Sequence, residues 1–494
     1  MTAADLTTTL PLVYLILLAG LVVAVDVIWP GRDRLAQAIG VLGSLVGLAI
    51  VWAVAQNGTR EAFGGAYVLD PFTTLLDAIF VSIGGLTLLY APDYLQPRRL
   101  PMAEFTATLL FALSGAMLLS ASRDLLVLFL GLELMVLPGY LLVGFAKRDG
   151  LATEGAIKYF LLGSFSSAIF LFGLAFVWGF TGSTRVSVVA GQLAAIASGH
   201  AALSPGLAMG LAFLTTGVAF KIAAVPFHYW TPDAYQGSPT PVTGYLSVGP
   251  KIAAFALILR LFVGALGPVR AEWVPIIAIL AAITMTLGNL VALTQSNVKR
   301  MLAYSSIAHT GYMLVGLAAY AAAAPGSATE ARGLQGLLFY AVAYTFMNLG
   351  AFAIVSALQR RPGVTSEIET FSGLGRRAPL IGAVMTLFLI SLTGIPPTAG
   401  FFAKAYVILA AIQAGGWVSW LAVLAVLNAA AAAFYYLRVV VYMYMREAPE
   451  PAPPVARGFE LRLGLGIAAF ATIVIGLFPS TLITIAEAAA KALL

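Results

Sequence analysis

Cationic side chains occur inside the most apolar segments of this 494-residue chain. Four of them are lysines, although the whole sequence contains only seven. Placing one lysine at the centre of a bilayer costs about 2.5 to 3.5 kcal/mol, so four would cost on the order of 10 to 14 kcal/mol, which rivals the stability of a whole domain. These residues therefore need polar partners, water or a function. The six cations in apolar segments are Lys158, Lys221, Lys251, Arg260, Lys404 and Arg438.

One acid lies as deep as the deepest of these bases. Lys251 is ten residues into its apolar segment, about 15 Å at 1.5 Å per helical residue, which is half of a ~30 Å hydrocarbon core. Glu133 lies about as deep by the same count, and Lys158 lies shallower. Buried acids and bases can neutralise one another, and such residues in a membrane interior mark an ion or proton path by default.

Other charged residues are expected to be less informative. Arg260 and Arg438 each lie within about two helical turns of a segment end, so we expect their side chains to extend to the headgroups. Asp26 and Asp77 are expected to cap helices or to lie at headgroup level.

Prolines lie beside three of the buried lysines. Pro226 cannot donate a backbone hydrogen bond, so the helix that carries Lys221 should break one residue after that lysine. Lys221 would then occupy the last turn of a half-helix, where the negative end of the dipole favours a cation. Pro250 immediately precedes Lys251, and Pro396 with Pro397 should break the segment before Lys404.

Two histidines are candidate proton relays, because an imidazole titrates near neutral pH. His309 lies about eight residues into an apolar segment and is as well explained by a hydrogen bond in the core as by a relay. His228 lies at the expected helix break, where water can reach it, and we interpret it as a relay.

Composition identifies the elements that must position these residues. Residues are 61% hydrophobic and only 10% charged, against about 25% charged in soluble domains, so the chain is an all-α integral membrane protein. The N-terminal segment lacks the basic start and the cleavage pattern of a secretory signal, so a retained first helix is expected. We predict fourteen membrane spans, near residues 9–29, 36–56, 72–91, 103–121, 123–146, 154–180, 205–229, 241–265, 273–294, 301–324, 334–358, 378–413, 416–444 and 463–490.

The distribution of charge indicates orientation rather than a binding surface. Of the 27 Lys and Arg residues, fifteen fall in odd-numbered connections, and only six fall in even-numbered connections and the C-terminal end. The odd connections are therefore cytoplasmic and both termini lie outside, so the net charge of +6 is no evidence for a nucleic acid partner. With no cysteine, the chain has no thiolate-bound Fe–S cluster, so redox chemistry must take place on other chains.

The two broken spans predict an internal repeat. Lys221 and Lys404 lie at corresponding breaks, in spans 7 and 12, which is typical of transporters built from repeats. An odd number of spans in each repeat makes the second inverted. The predicted organisation is an N-terminal three-helix segment over 1–102, five-helix repeats over 103–270 and 271–446, and a linker with span 14 over 447–494.

The motifs around these residues resemble the antiporter-like membrane subunits of NADH-quinone oxidoreductase, respiratory complex I. The resemblance is dense over spans four to thirteen. Where two of the three subunit types usually read WLPDA, this chain reads WTPDA. The matching segments are GLELMVLPGYLLVGF, IKYFLLGSFSSA, FKIAAVPFHYWTPDAYQGSPTPVTGYL, VKRMLAYSSIAHTGYM and LTGIPPTAGFFAKAYV.

The resemblance implies roles for particular residues. It makes Glu133 the acid of span five, Lys158 the lysine of span six and Lys221 the lysine of broken span seven. Lys251 is the central lysine of span eight and Lys404 the lysine of broken span twelve. The implied function is proton translocation driven by quinone reduction elsewhere, with protons loaded and ejected as a Glu133–Lys221 pair forms and breaks.

The resemblance also implies partners and location. No cofactor is expected on this chain, and NADH, FMN, Fe–S clusters and quinone belong to partner subunits. The expected partners are the antiporter-like subunit M, the small subunits K and J, and lipid, in a bacterial plasma membrane. Two alternatives are a subunit of a multi-chain Na+/H+ antiporter or membrane-bound hydrogenase, and a structural spacer with fixed ion pairs.

Overall fold

The computed structural model describes residues 2–198, 203–450, 452, 454–456 and 458–494, and helices dominate it. Within these residues, eleven helices are long and apolar enough to cross a membrane. Four further apolar helices are shorter, and three of them belong to the predicted broken spans. The prediction of an all-helical membrane protein is therefore confirmed.

The N-terminal segment contains two short strands as well as helices. The strands pair antiparallel, with Arg60 opposite Leu69. Strands of three residues are too short to show an alternating pattern, which explains why the sequence did not predict them. The elements are α1 (Ala3–Thr8), α2 (Leu10–Ile28), α3 (Asp33–Ala55), β1 (Arg60–Ala62), β2 (Tyr67–Leu69), α4 (Pro71–Tyr90) and α5 (Pro92–Leu95).

The next segment contains the first helix break. A helix ends at Lys221, and a short helix starts at Trp230 beyond Pro226, so the predicted break is confirmed. The 13-residue helix α9 lies in a loop that was not predicted to be helical. The helices are α6 (Met102–Ala121), α7 (Leu125–Val143), α8 (Gly150–Thr181), α9 (Val186–Ser198), α10 (Pro205–Lys221), α11 (Trp230–Gly237) and α12 (Thr240–Ile258), which continues as a π-helix over Leu259–Ala265.

The C-terminal part contains the second break, between α17 and α18, where Pro396 and Pro397 predict it. The prediction of one continuous span over 463–490 is wrong, because the helix stops at Leu477 and Pro479 opens a new one. The helices are α13 (Arg270–Thr294), α14 (Val298–Ala322), α15 (Ala328–Leu358), α16 (Leu374–Arg377), α17 (Pro379–Thr393), α18 (Ala399–Ala414), α19 (Trp420–Met445), α20 (Phe459–Leu477) and α21 (Pro479–Lys491).

Two helices form the centre of the protein. The most apolar part of α12 with its π-helical end is fully buried, and that of α15 is 94% buried. The helices at the periphery, such as α2, α3, α19 and α20, expose large apolar side chains, including Leu17, Trp52, Phe434 and Phe470. A membrane protein presents apolar side chains to lipid, so charged residues on the central helices are shielded from lipid by protein.

The first break is held by side chains from later helices. The backbone N–H of Val225 donates to Thr284 Oγ1 on α13 at 3.0 Å, and the hydroxyl of Thr310 on α14 donates to the Ile222 carbonyl at 2.9 Å. Cis peptide bonds precede Pro226 in this break and Pro397 in the second. Two backbone groups freed by the interruption of the helix therefore have partners within the protein, as a membrane interior requires.

Candidate functional site

Lys251 lies at the centre of the protein and forms hydrogen bonds to a residue of another helix. Its side chain is on α12, and the residue is only 2% exposed. The Nζ ammonium donates to the backbone carbonyl of Ser306 at 2.6 Å and to its hydroxyl at 2.5 Å. Ser306 is on α14, so the contact joins two helices in the interior.

His309 is one helical turn beyond Ser306 and bonds two tyrosines. Its Nδ1 lies 2.6 Å from the hydroxyl of Tyr340 on α15, and its Nε2 lies 3.1 Å from the hydroxyl of Tyr436 on α19. The hydroxyl of Tyr436 also bonds Ser305, the residue next to Ser306. We call Lys251, Ser306, Ser305, Tyr436, His309 and Tyr340 the central row.

Lys404 lies beyond the central row, beside the second helix break. It is on α18, but its Nζ donates to the carbonyls of Leu392 and Thr393, at 3.0 and 2.7 Å, which end α17. Its ammonium is 4.8 Å from the ring centre of Tyr312, and that ring stacks 6.5 Å from the ring of Tyr340 in the central row. The C-terminal end of a half-helix and an aromatic face both favour a cation.

Lys221 occupies the corresponding place at the first break. It is the last residue of α10, as its position before Pro226 predicts, and it is 5% exposed. Its Nζ donates to the hydroxyl of Ser167 at 2.9 Å and to the carbonyl of Gly163 at 3.4 Å, both on α8. In this structure, then, the ammonium is held by neutral oxygens.

Glu133 forms no ion pair within the described part of the chain. It lies on α7, and its Oε1 is buried without a hydrogen-bond partner among those residues. The ammonium of Lys221 bonds Ser167 and Gly163 instead, and no hydrogen bond joins it to Glu133 in the described part of the chain. The structure therefore shows this acid and this base in an unpaired arrangement.

Lys158 pairs with two other acids. Its Nζ lies 2.6 Å from Glu154, one turn away on α8, and 2.7 Å from Asp233 on α11. Asp233 also accepts from Arg300 on α14 at 2.7 Å. Burial favours protonation of Asp233, but the bonds from Lys158 and Arg300 outweigh it and hold its pKa below the usual range. With 42% of its side chain exposed, Lys158 lies nearer the surface than the other three lysines.

His228 is buried in the first break. It is 6% exposed, and its ring stacks on Tyr229 at 4.8 Å. Its Nδ1 has no hydrogen-bond partner in the part of the chain that the structure describes. Its ring also lies 6.4 Å from the ring of Tyr304, the residue before Ser305 on α14. His228 is therefore near the central row without a hydrogen bond to it, and its burial contradicts the expectation that water reaches it.

Two expectations about other charges are wrong. Arg260 does not extend to the headgroups, because it is 3% exposed and donates to both oxygens of Asp70 at 2.9 and 3.0 Å. Asp77 neither caps a helix nor lies at a surface, since it is in the interior of α4 and fully buried. Arg438 donates to the carbonyls of Leu293 and Gln295 at the end of α13.

The central row can carry protons because each of its side chains can both release and accept one. Hydroxyl and neutral imidazole groups are both donors and acceptors, and an amine is an acceptor once it has lost its proton. The sequence singled out Lys251 and His309 but missed Ser305, Ser306 and Tyr436. The pair of serines immediately before the histidine segment was an available signal, whereas Tyr436 lies in an ordinary apolar helix.

Comparisons with known proteins agree on one family. Residues 122–428 match the family described as NADH:quinone oxidoreductase/Mrp antiporter, TM. The chain is 40% identical to NADH-quinone oxidoreductase subunit N of Trichlorobacter lovleyi, over 99% of this chain and 97% of that protein. It is 41% identical to subunit N of Chloroflexus aggregans, over 98% and 96% of the two chains.

Solved structures show the same fold. A chain of respiratory complex I from Thermus thermophilus with bound aureothin is 31% identical, with a TM-score of 0.79 over 96% of this chain and 98% of that one. A chain of the Mrp complex from Dietzia has a TM-score of 0.85 over 100% and 98% of the two chains, but at 23% identity this likeness concerns the fold alone.

Proposed function

This chain belongs to the subunit N family of NADH-quinone oxidoreductase, respiratory complex I, and from that membership we propose that it moves protons across the membrane along its central row. The observation that carries the proposal is two sets of buried hydrogen bonds that meet at adjacent residues of α14, one from Lys251 to Ser306 and the other from Ser305 through Tyr436 and His309 to Tyr340. Quinone reduction on other subunits supplies the energy. No redox step takes place on this chain.

Glu133 and Lys221 control the loading of the row. Desolvation weakens the hold of a lysine on its proton, and a nearby carboxylate strengthens it. In the arrangement described above, the ammonium is bonded to Ser167 and Gly163 while Glu133 Oε1 has no partner among the described residues. Formation of the Glu133–Lys221 pair would bind a proton, and its separation would pass that proton toward Lys251.

Lys404 is the last member of the path. Its contacts with the end of α17 and with the ring of Tyr312 favour the charged form, so a proton that arrives through Tyr340 would be held there. His309 relays protons between the tyrosines. We propose that His228 and Lys158 act at the first break. Lys158 would modulate the charge near Lys221 by changing its pairing with Glu154 and Asp233.

The finer architecture belongs to the same proposal. We infer fourteen spans, with inverted five-helix repeats over 103–270 and 271–446, flanked by 1–102 and 447–494. Support comes from the correspondence of the two breaks, since each places a lysine ammonium against oxygens of a neighbouring helix or half-helix. The distribution of Lys and Arg between loops supports termini on the periplasmic side of a bacterial plasma membrane.

Partners follow from membership in a multi-subunit complex. We propose that the exposed apolar faces of the peripheral helices contact subunits M, K and J and lipid. NADH, FMN, Fe–S clusters and quinone would bind to other chains. The alternative, a subunit of a Na+/H+ antiporter or a membrane-bound hydrogenase, predicts that the chain copurifies without an NADH-binding subunit.

Replacement of Lys221 or Glu133 by alanine tests the proposal. In the whole complex, reconstituted in vesicles, each variant should assemble but pump protons at least about tenfold more slowly, equivalent to about 1.4 kcal/mol in the barrier. Lys491→Ala is a matched control, because this lysine is 65% exposed in its side chain and pairs with Glu487 one turn away on its own helix. Pumping at the wild-type rate in either variant would refute the proposed path.

A further inference from the structure

A second group of buried polar residues lies outside the central row, where the first strands meet α4. Arg260, in the π-helix that continues α12, donates to both oxygens of Asp70 and to the hydroxyl of Thr73, at 2.9 to 3.0 Å. Its Nε donates to the carbonyl of Ser120 on α6 at 2.8 Å. The charges of Arg260 and Asp70 therefore neutralise each other.

Asp77 lies next to this ion pair and has no cation of its own. Its Oδ1 is 3.5 Å from the hydroxyl of Ser120, which already donates to the carbonyl of Met117 at 2.9 Å. Its Oδ2 has no partner among the residues that the structure describes. An isolated carboxylate in a dry interior is very costly, so the group is held as a neutral acid with a proton.

Tyr67 adds a second buried group without a partner. The residue is 2% exposed, and its hydroxyl makes no hydrogen bond within the described ranges. Burial raises the pKa of Tyr67, and Asp77 and Asp70 raise it further, while Arg260 opposes them. The phenol consequently keeps its proton and is an available donor beside the two acids.

A series of ion pairs connects this group with the protein surface. Glu61 lies 3.1 Å from Arg123, and Arg123 lies 3.8 Å from Asp70. The exposed fraction of the side chain falls along the series, from 54% for Glu61 and 36% for Arg123 to 1% for Asp70. Water can reach the outer two residues, and the inner one contacts Arg260.

We propose that Asp77, with Tyr67 and Ser120, is an additional proton-binding site that exchanges with the outer aqueous phase through Asp70 and Arg123. The proton leaves the carboxyl of Asp77 by cleavage of its O–H bond, binds to a carboxylate oxygen of Asp70, and is then released from Asp70 to the water that reaches Arg123. Because Arg260 and Asp77 both contact Ser120, a rotation of the Arg260 side chain from Asp70 toward Asp77 compensates the charge that remains.

The site is connected to the central row through one helix. Arg260 and Lys251 are nine residues apart on the same continuous helical segment, a separation of about 14 Å along its axis. Between them lie only apolar residues, Ile252 to Leu259. If α12 shifts when Lys251 gains or loses a proton, Arg260 moves as well. The role of the Asp77 site in pumping therefore rests on the proposed function, in which Lys251 carries protons.

Infrared difference spectroscopy of the whole complex tests the site independently of pumping. The spectrum of wild type minus Asp77→Asn, at neutral pH, should contain the C=O band of a protonated carboxyl, and that band should shift in D2O. Tyr67→Phe keeps the acid and should move the band. Asp26→Asn, a half-buried acid on α2, is the matched control and should give no such band. Absence of the Asp77 band, or a band that does not shift in D2O, would overturn the proposal.

Pumping measurements separate this site from the central path. The complex with Asp77→Asn should assemble and should oxidise NADH at the wild-type rate when the proton gradient is dissipated, but it should move fewer protons per NADH oxidised. Asp26→Asn should behave as wild type. An unchanged ratio in Asp77→Asn would overturn the role of this site in translocation. If Lys221→Ala pumps normally while the Asp77 band is present and exchanges, the central path fails and the proton-binding site stands.

Discussion

The ammonium of Lys251 and the hydroxyl of Ser306 lie 2.5 Å apart, at the point where the central helix α12 meets α14 in the protein interior. The same ammonium also contacts the carbonyl of Ser306. A fully buried lysine thus depends on one residue of another helix for both of its hydrogen bonds.

Ser306→Ala should slow proton pumping while leaving assembly intact. The substitution removes the hydroxyl acceptor and leaves only the carbonyl for Lys251, and a hydrogen bond to a charged group contributes about 1.5 to 3 kcal/mol. The expected loss is roughly tenfold or more in the rate of pumping by reconstituted vesicles. Ser114→Ala is a control, because this buried hydroxyl bonds only the carbonyl of Phe111 within its own helix. Equal rates in the two variants would contradict a role for Ser306.

Tyr436→Phe should interrupt the central row between Ser305 and His309. The variant retains the aromatic ring and loses only the hydroxyl that joins these two residues. We expect pumping to slow by roughly fivefold, which corresponds to about 1 kcal/mol. Tyr435→Phe removes a neighbouring hydroxyl that bonds Asn289 instead, so it should pump faster than Tyr436→Phe.

Thr284→Val should destabilise the first helix break. It leaves the backbone N–H of Val225 without an acceptor in a buried position, at an expected cost of about 1 to 3 kcal/mol. The solubilised complex should release this subunit at a lower temperature than wild type. Thr284→Ser keeps the hydroxyl and should restore most of the stability. If the serine and valine variants release the subunit at the same temperature, the hydrogen bond from Val225 to Thr284 does not stabilise the break.

Gly400→Ala should disturb the second break. A Cβ atom at this position would lie 1.8 Å from the backbone carbonyl oxygen of Ser391, so α17 and α18 would have to separate. Such overpacking costs about 1 to 3 kcal/mol, and it would displace Lys404 from the end of α17. The variant should assemble poorly or pump more slowly. Gly466→Ala on α20 is the control, since no other atom lies within 4 Å of a Cβ placed there.

The sequence predicted the features that depend on local chemistry. Proline chemistry located both helix breaks, and residue depth identified Lys251 as a buried base. These conclusions need only neighbours along the chain and the thickness of a bilayer. The same reasoning failed at 463–490, where Pro479 opens a new helix without any nearby charge to draw attention to the interruption.

Contacts between distant helices could not be predicted in this way. Arg260 and Asp70 are 190 residues apart, and their pairing depends on how helices pack and rotate. The short distance of Arg260 from the end of its apolar segment therefore suggested a contact with the headgroups. In the folded protein the buried carboxylate of Asp70 is within reach instead. For the same reason the sequence did not predict that Asp233 lies beside Lys158.

The threonines that bond the first break have a mechanical consequence. Thr284 and Thr310 belong to α13 and α14, yet they hold the backbone that directly follows Lys221. Because of these two hydrogen bonds, a tilt of α13 or α14 would displace the backbone at the first break. Strain produced by a protonation event around His309 would therefore reach Lys221 without any charge having to travel between them.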